Sequence, residues 1–395
     1  MKRNLLLLLF RDVFVGISAA FGSASILQGF LLHEGLSEEL IGIYVTFGSV
    51  VNFVVSLGLS GAAAATEKTV RASSVCYLLT GVISSAYLLP TLVPLGSSAL
   101  FVCVMAITGL SSVTVALKTI FEYKLPCEVI DTEKYATYIS FSGIITGLTG
   151  LGCSLGATAL YRVAAFEKVS AAVFFVSSAA MVTAGLINRR LTVLHKPQPR
   201  PAEKNPMLGQ LKGLFRNHDF RFLLLPNFIR GFGAAVVSLA AVLAVRMSGF
   251  TDAECSLITA LISAGTLLSC VLYLPFVKLF GRAMSSFAGS VLFCLMVPAF
   301  LSKNKIVFSV FFVIAYIGYN ITCNAIPDLI FCHISPQIIS PFQTWRLALL
   351  TLGTTAGTAL FGFLLPRVPP LVILLLGIPA YVFCGAAYYW RYRKA

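Results

Sequence analysis

Six ionisable residues inside long apolar stretches of the sequence are the most informative about chemistry, because charged side chains are rare there. They are Asp12, Lys118, Glu122, Arg230, Asp328 and Arg346. A charge that faces lipid costs about 2.5–3.5 kcal/mol on insertion scales, so such residues usually face a water-filled cavity or each other. The chemistry open to them is the binding of a charged group, the transfer of a proton, or the making and breaking of an ion pair. Because three are acids and three are bases, they do not indicate the charge of a bound molecule.

Arg230 is the candidate for binding an anionic group, since its planar guanidinium can hold a carboxylate or phosphate through two parallel hydrogen bonds. Asn227 lies about one helical turn earlier and shares its face. A structural role for Arg230, as a local partner of Asp12 or of backbone carbonyls, is the alternative.

A second polar pattern consists of Asn320, Asn324 and Asp328, which follow one another at intervals of four residues. In a helix this spacing places all three on one face, and Tyr316 continues the stripe. A polar stripe on an apolar helix indicates a wet cavity, so Arg230, Asn227, Asn320, Asn324 and Tyr316 are the predicted solute-binding residues.

The elements that carry these residues are predicted from hydropathy. The chain has 395 residues, of which 58% are hydrophobic and 11% charged, whereas a soluble protein carries roughly 25% charged residues. Apolar runs of about 20 residues cross a bilayer, and continuous runs without period-2 alternation are helices. The predicted fold class is an all-α membrane protein with twelve spans: 4–32, 38–60, 72–94, 97–124, 134–161, 167–188, 219–247, 252–279, 284–302, 305–331, 340–365 and 369–391.

The net charge of +14 is concentrated at one side of these spans. Such asymmetry follows the positive-inside rule and predicts a multi-pass protein of the plasma (inner) membrane with both termini in the cytoplasm. It also argues against a nucleic-acid partner. The predicted domains are an N-terminal six-helix bundle (1–190), a cytoplasmic linker (191–218) with an amphipathic segment at 207–215, and a C-terminal six-helix bundle (219–395).

The two bundles share sequence landmarks. Residues 35–38 (Gly-Leu-Ser-Glu) and 249–252 (Gly-Phe-Thr-Asp) each place a hydroxyl residue and an acid before a span, which is N-cap chemistry. A similar number of residues along the chain separates corresponding glycines in two later spans: Gly143 from Gly353, and Gly147 from Gly357. The same number of residues separates Lys118 from Asp328.

Three interpretations of these charges remain open. In the first, Lys118 and Asp328 form a gating ion pair that is held in one state and broken in another. In the second, static ion pairs form within each bundle. In the third, the charged side chains contact the substrate or a proton. Lys118 and Glu122 are four residues apart and therefore neighbours on one helical face. Asp12, Glu122 and Asp328 are the candidates for a coupling proton, and Arg346 joins them as a predicted gating residue.

The whole arrangement resembles the major facilitator superfamily (MFS): twelve spans, cytoplasmic termini, a basic central loop and the Gly-Leu-Ser outer turn. The loop 125–134 is similar to the family's turn between spans 4 and 5, with Tyr135 where a glycine usually stands. The signature loop after span 2, residues 61–71, lacks the motif's Asp and second Gly, and its counterpart at 278–282 is partial. The resemblance implies that spans 1, 4, 7 and 10 line a central cavity, and five of the six charges lie on them.

The resemblance implies a secondary active transporter that moves a small solute by alternating access, coupled to a proton or another cation and acting as a monomer. No cofactor or metal is predicted, because the sequence has no Cys-x-x-Cys pair, no His-Glu-x-x-His motif and no nucleotide-binding loop. An enzyme is therefore not expected.

Two alternatives remain open. One is a non-transporting membrane sensor or assembly protein on the same fold. The other is a drug/proton efflux antiporter, because Gly143, Gly152 and Gly156 match the front of that motif, although Ala157 replaces its proline. The alternative interpretation of these glycines is close helix packing through small residues.

Overall fold

The computed structural model describes residues 2–66, 68–93, 95–130, 132–194, 218–333 and 339–393, and within these ranges the chain forms helices and no strands. In the first half the α-helices are α1 (Lys2–Phe21), α2 (Ala24–His33), α3 (Glu38–Ala65), α4 (Thr69–Ser85), α5 (Leu88–Leu92), α6 (Ser97–Val129), α7 (Thr132–Val163) and α8 (Phe166–Asn188). In the second half they are α9 (His218–Ser238), α10 (Ala240–Leu243), α11 (Cys255–Leu292), α12 (Met296–Leu301), α13 (Lys305–His333), α14 (Ile339–Leu364) and α15 (Pro370–Tyr392). The amphipathic segment predicted at 207–215 lies outside the described residues.

The described helices account for the twelve predicted spans. Ten segments of the described chain are long and apolar enough to cross a membrane, and the pair Leu224–Ser238 and Ala240–Ser248, bent by 54°, supplies one more. One of the ten, Asp252–Leu301, is 50 residues long and kinks at Gly281, where φ is 75°. That segment therefore covers two predicted spans, 252–279 and 284–302.

The two predicted outer turns have the expected cap chemistry. Gly35 and Gly249 both adopt positive φ, 78° and 73°, which L side chains rarely tolerate. Ser37 Oγ accepts a hydrogen bond from Leu40 N at 3.4 Å, and Thr251 forms a capping box with Glu254. The N-cap prediction for both turns is confirmed.

The described chain divides into two compact units, each built on its own helix contacts. Unit 1 comprises Met1–Pro201 and Thr251–Ala264, and unit 2 comprises Ala202–Phe250 and Gly265–Ala395. In unit 1, α1 packs against α7 and α8, while α4 packs against α6 and α8. In unit 2, α9 packs against α14 and α15. The domain boundaries predicted at 190 and 219 stay predictions.

Glycines allow several of these helices to approach closely. A Cβ added at Gly353 would meet the Phe228 carbonyl oxygen, and one added at Gly231 would meet that of Leu350, so α9 and α14 touch backbone to backbone. For Gly152 and Gly156 the interpretation as close-packing residues is wrong within the described chain, because no atom lies within 4 Å of an added Cβ. Glycine spacing alone does not reveal which helix face meets a neighbour.

Candidate functional site

Unit 1 contains a buried ion pair between neighbouring residues of α1. The Arg11 guanidinium donates to Asp12 Oδ1 from Nε at 2.9 Å and from Nη2 at 2.6 Å, and the two side chains are only 4% and 3% exposed. Arg11 Nη2 also donates to the Tyr138 hydroxyl at 2.7 Å. Asp12 Oδ2 and Arg11 Nη1 are buried without a hydrogen-bond partner in the described part of the chain. Within the described chain, Asp12 Oδ2 therefore keeps capacity to accept a further hydrogen bond.

Tyr77 on α4 lies between this ion pair and a second one. Its ring centroid is 5.7 Å from Arg11 Cζ and 5.2 Å from Lys118 Nζ, which are cation–π distances. Its hydroxyl donates to the Glu122 carboxylate, and Lys118 Nζ lies 3.4 Å from Glu122 Oε1. The predicted contact between Lys118 and Glu122 is therefore present, while the roles of both residues stay predictions.

Unit 2 buries a guanidinium that has no carboxylate beside it among the residues the structure describes. Arg230 on α9 is 2% exposed, and its Nη1 has no hydrogen-bond partner among the residues that the structure describes. The polar groups that surround it are the hydroxyls of Tyr319 and Tyr381 and the thiols of Cys323 and Cys384. Hydroxyl and thiol groups carry no charge in their ordinary form. The positive charge is therefore not compensated by any of these neighbours.

Asn227 and Arg346, two further predicted site residues, belong to the same buried region of unit 2. Asn227 is fully buried, and its Nδ2 donates to the Tyr388 hydroxyl at 2.7 Å. Both Arg230 and Arg346 exert a field on that hydroxyl, and Arg346 is 7% exposed. Two guanidinium groups thus share one tyrosine-rich neighbourhood.

Asp328 is more exposed than its predicted gating role suggests. Its side chain is 43% exposed and lies 3.9 Å from Arg282 Nε, and it accepts a hydrogen bond from the Tyr273 hydroxyl. The only cation paired with it in the described part of unit 2 is on α11. Its role in gating or proton coupling stays a prediction.

The predicted polar stripe on α13 is divided among three environments. Tyr316 stacks in an aromatic row with Phe312 and Tyr319, at centroid distances of 6.3 and 5.3 Å. Asn320 Nδ2 lies 3.4 Å from Thr266 Oγ1, and Asn324 is exposed. Asn324 is therefore the member of the stripe with its amide most open to a solute.

Sequence reasoning missed several residues of these clusters, among them Arg11, Tyr77, Tyr138 and Tyr388. An arginine directly before Asp12 in an apolar helix was a usable signal, because a buried acid needs a compensating charge. The tyrosines carry no local signal, since aromatic residues are common in spanning helices. Within the described chain, no group of three His, Cys, Asp or Glu side chains is arranged to hold a metal ion.

Comparisons with known proteins reveal likeness in structure but not in sequence. No protein-family profile and no curated sequence matches the chain. A bacterial homologue of the iron transporter ferroportin, in its inward-facing state, superposes with a TM-score of 0.72 at 16% identity over 100% of both chains. The nucleoside transporter NupG gives 0.68 at 15% identity, covering 99% of both chains. A D-xylose-proton symporter gives 0.69 at 13% identity, covering 98% of this chain and 95% of the other. The chain therefore has the twelve-helix fold of the MFS transporters.

Proposed function

We propose that this protein is a secondary transporter of a small anionic solute, with Arg230 as the residue that binds the solute's carboxylate or phosphate group. The fold supports transport, because structures that share it include a nucleoside transporter and a D-xylose-proton symporter. The observation that carries the anionic substrate class is the buried Arg230 guanidinium with a free Nη1 and neutral neighbours.

The argument for an anion rests on the energetics of a buried charge. Moving a charge out of water costs several kcal/mol even after relaxation, and the cost is offset only by an opposite charge or good hydrogen bonds. Arg230 has neither a carboxylate beside it nor a partner for Nη1 within the described chain. A bound carboxylate or phosphate supplies both at once, through charge-assisted hydrogen bonds.

Ligand stabilisation of the purified protein tests the anionic class. The probes are matched pairs of acid and neutral analogue: lactate with lactamide, and glycerol 3-phosphate with glycerol. A ligand at 100 times its dissociation constant stabilises the fold by about 2.7 kcal/mol, which a thermal-unfolding scan detects. We expect an acid to raise the melting temperature while its neutral partner does not, and we expect Arg230→Gln to lose this effect.

Arg367→Gln is the matched control, since Arg367 is an exposed cation 3.9 Å from the Phe363 ring and its charge is removed in the same way. This control must keep the acid-induced shift. The anionic class is overturned if no carboxylate or phosphate monoester stabilises the wild-type protein, or if Arg230→Gln retains the shift.

Transport itself is tested by counterflow in proteoliposomes. Proteoliposomes are loaded with an unlabelled acid that stabilises the protein, and uptake of the same acid in radiolabelled form is measured. Saturable uptake that disappears in Arg230→Gln supports the carrier. Binding without any flux supports the alternative of a membrane sensor or assembly protein on the same fold.

Coupling to a proton is part of the proposal, with Asp12 as the carboxylate that carries it. Its Oδ2 is buried and unbonded within the described chain, while Oδ1 is held by Arg11. Asp12→Asn is expected to retain counterflow, which needs no driving force, and to lose uptake driven by a pH gradient. Unchanged pH-driven uptake in this variant would remove Asp12 from the mechanism.

The gating pair between Lys118 and Asp328 stays a proposal with its own test. Each residue already has a partner in its own unit: Glu122 for Lys118, and Arg282 for Asp328. An interdomain pair would therefore replace these partners in another state, and if it forms, the double variant Lys118→Asp, Asp328→Lys is expected to regain transport that either single variant loses. Recovery of transport in the double variant would establish the gating pair.

The finer cellular assignment belongs to the proposal as well: a monomer in the plasma (inner) membrane with both termini in the cytoplasm. A fluorescent protein that folds only in the cytoplasm, fused to either terminus, is expected to fluoresce. Alkaline phosphatase fused at the same positions is expected to be inactive.

A further inference from the structure

Unit 1 contains a cavity of about 210 Å³ that is separate from the ion pairs described above. It is bounded by α2, α3, α6 and α8 and by the segment that joins α4 to α5. Its polar lining includes Tyr44, Asn52, Tyr87, Thr108, Ser111 and Ser112. No lining residue carries a charge at neutral pH. Every polar side chain in the lining can donate or accept hydrogen bonds.

Part of this hydrogen-bonding capacity is used within the wall. The Tyr87 hydroxyl lies 2.9 Å from Thr108 Oγ1, and the Tyr44 hydroxyl is a further hydrogen-bond partner of Thr108. These three side chains form a fixed chain of hydroxyls across one side of the cavity. Tyr44 is 8% exposed, so its ring is held firmly in place.

Ser177 Oγ is also bonded, to Ser18, but the hydroxyls of Ser111 and Ser112 have no partner among the described residues. A serine or threonine inside a helix usually bonds to the carbonyl three or four residues earlier, as Thr119 does to Val115 O at 2.9 Å. The side chains of Ser111 and Ser112 make no hydrogen bond within the described part of the chain. Asn52 accepts a bond from Ser56 at 3.1 Å and keeps its amide group as a donor. The cavity thus presents donors and acceptors that no described residue uses.

The rest of the wall is aromatic. The rings of Tyr87 and Phe174 have centroids 5.8 Å apart, and Phe174 is 3% exposed. Binding sites for small molecules typically combine such apolar faces with a few well-placed polar groups. A ring or chain with hydroxyl groups on its edge and C–H groups on its faces matches both parts of this wall.

We infer that this cavity is a binding site for a small neutral polyhydroxylated molecule, such as a monosaccharide or a polyol. The ligand is neutral because an ionised ligand would lose its hydration in this cavity without gaining an opposite charge as a partner. It is small because one water occupies about 30 Å³ in the liquid, so the cavity has room for roughly seven waters or one sugar ring. The inference does not depend on the anionic substrate proposed above, since none of the cavity residues belongs to the Arg230 cluster.

The binding experiment uses the full-length protein in detergent with D-glucose, D-xylose, myo-inositol and glycerol as neutral probes. D-glucuronate is the ionised counterpart of D-glucose, and the comparison is made in Arg230→Gln so that anion binding at Arg230 does not contribute. We expect at least one neutral probe to raise the melting temperature saturably and D-glucuronate to leave it unchanged. The inference is overturned if none of the four neutral probes binds, which would leave a cavity that holds only water.

Matched variants locate the binding. Thr108→Val and Ser112→Ala each remove one cavity hydroxyl and are expected to weaken binding of the neutral probe at least tenfold. Thr119→Val is the control, because it removes an exposed hydroxyl from the same helix and is expected to bind as the wild type does. The melting temperature without ligand reports whether each variant folds. Undiminished binding in folded Thr108→Val and Ser112→Ala would contradict the site.

The two proposals fail independently in these measurements. Arg230→Gln is expected to keep the neutral probe and lose the acids, whereas Thr108→Val is expected to keep the acids and lose the neutral probe. Loss of both ligands from either variant would contradict two separate sites.

Discussion

The side-chain amide of Asn227 on α9 donates a 2.7 Å hydrogen bond to the hydroxyl of Tyr388 on α15. Both side chains are fully buried, so the bond fixes how these two helices of unit 2 are rotated against each other. Arg230 follows one turn after Asn227 on the same helix. The position of the Arg230 guanidinium is therefore coupled to this bond.

Tyr388→Phe is expected to weaken binding of an anionic ligand severalfold, because Asn227 loses its acceptor and α9 becomes freer to rotate. The cost in folding is small, about 0.5–1.5 kcal/mol for a neutral hydrogen bond. The melting temperature without ligand measures the cost in folding, and its shift on adding ligand measures the binding. Tyr389→Phe, one position along, is the control, since that ring stacks on Phe287 and its hydroxyl makes no hydrogen bond in the described chain. Equal behaviour of the two variants would disprove the coupling.

Arg230→Met is expected to stabilise the protein without ligand while abolishing anion binding. Replacing a buried charge that has no carboxylate beside it among the described residues by an apolar side chain of similar size removes a desolvation cost, and replacing buried ion pairs by apolar residues stabilises proteins by about 1–4 kcal/mol. Thermal unfolding of the unliganded protein is the measurement. A fall in stability by about 3–5 kcal/mol would instead identify Arg230 as a member of a structural ion pair.

Tyr77→Phe is expected to destabilise unit 1 by about 1.5–3 kcal/mol, the usual contribution of a hydrogen bond to a charged group. The variant removes the only donor other than Lys118 that contacts Glu122 in the described chain. Tyr161→Phe serves for comparison, because its hydroxyl pairs with the neutral Ser170 at 3.1 Å and its loss costs less. The prediction does not hold if both variants melt at the same temperature.

Asn4→Ala is expected to loosen the start of α1, because Asn4 connects three separate segments of unit 1. Its Nδ2 donates to Val129 O at 2.9 Å and to Thr192 O at 2.7 Å, and its Oδ1 accepts from Thr192. Each buried group left without a partner costs about 1–3 kcal/mol. Hydrogen exchange of the α1 backbone should therefore accelerate.

Asn304→Ala provides the comparison for Asn4. Asn304 caps α13 at an exposed position, accepting from Ile306 N at 2.9 Å, so its loss costs about 1 kcal/mol. It should leave exchange in α1 unchanged. A larger overall effect of Asn304→Ala than of Asn4→Ala would contradict the role of the buried contacts.

Gly353→Ala is expected to destabilise unit 2 strongly, since the added methyl group meets the Phe228 carbonyl oxygen of α9, which the backbone cannot easily move. Overpacking of this kind costs about 1–3 kcal/mol or more. Gly156→Ala is the opposite case: its Cβ enters open space, and alanine gains up to about 1 kcal/mol in helix propensity. Thermal unfolding of the two variants should move in opposite directions.

The sequence alone determined which segments span the membrane fold and where the two outer turns lie, but not the breaks within a span, such as the one between α1 and α2. Hydropathy and capping depend on residues that are close together in the chain, so the twelve spans and the turns at Gly35 and Gly249 were predictable. The contact between Lys118 and Glu122 was predictable for the same reason, because a spacing of four residues is fixed by the helix itself.

Only the tertiary structure decided which side chains meet across helices. Tyr77 approaches Arg11 and Glu122, Tyr388 meets Asn227, and none of the described carboxylates stands beside Arg230. These relationships join residues that are tens to more than a hundred positions apart, and the hydropathy of a helix does not specify which face its neighbour covers. The same reason explains Gly156, whose spacing suggested close packing and whose face is open.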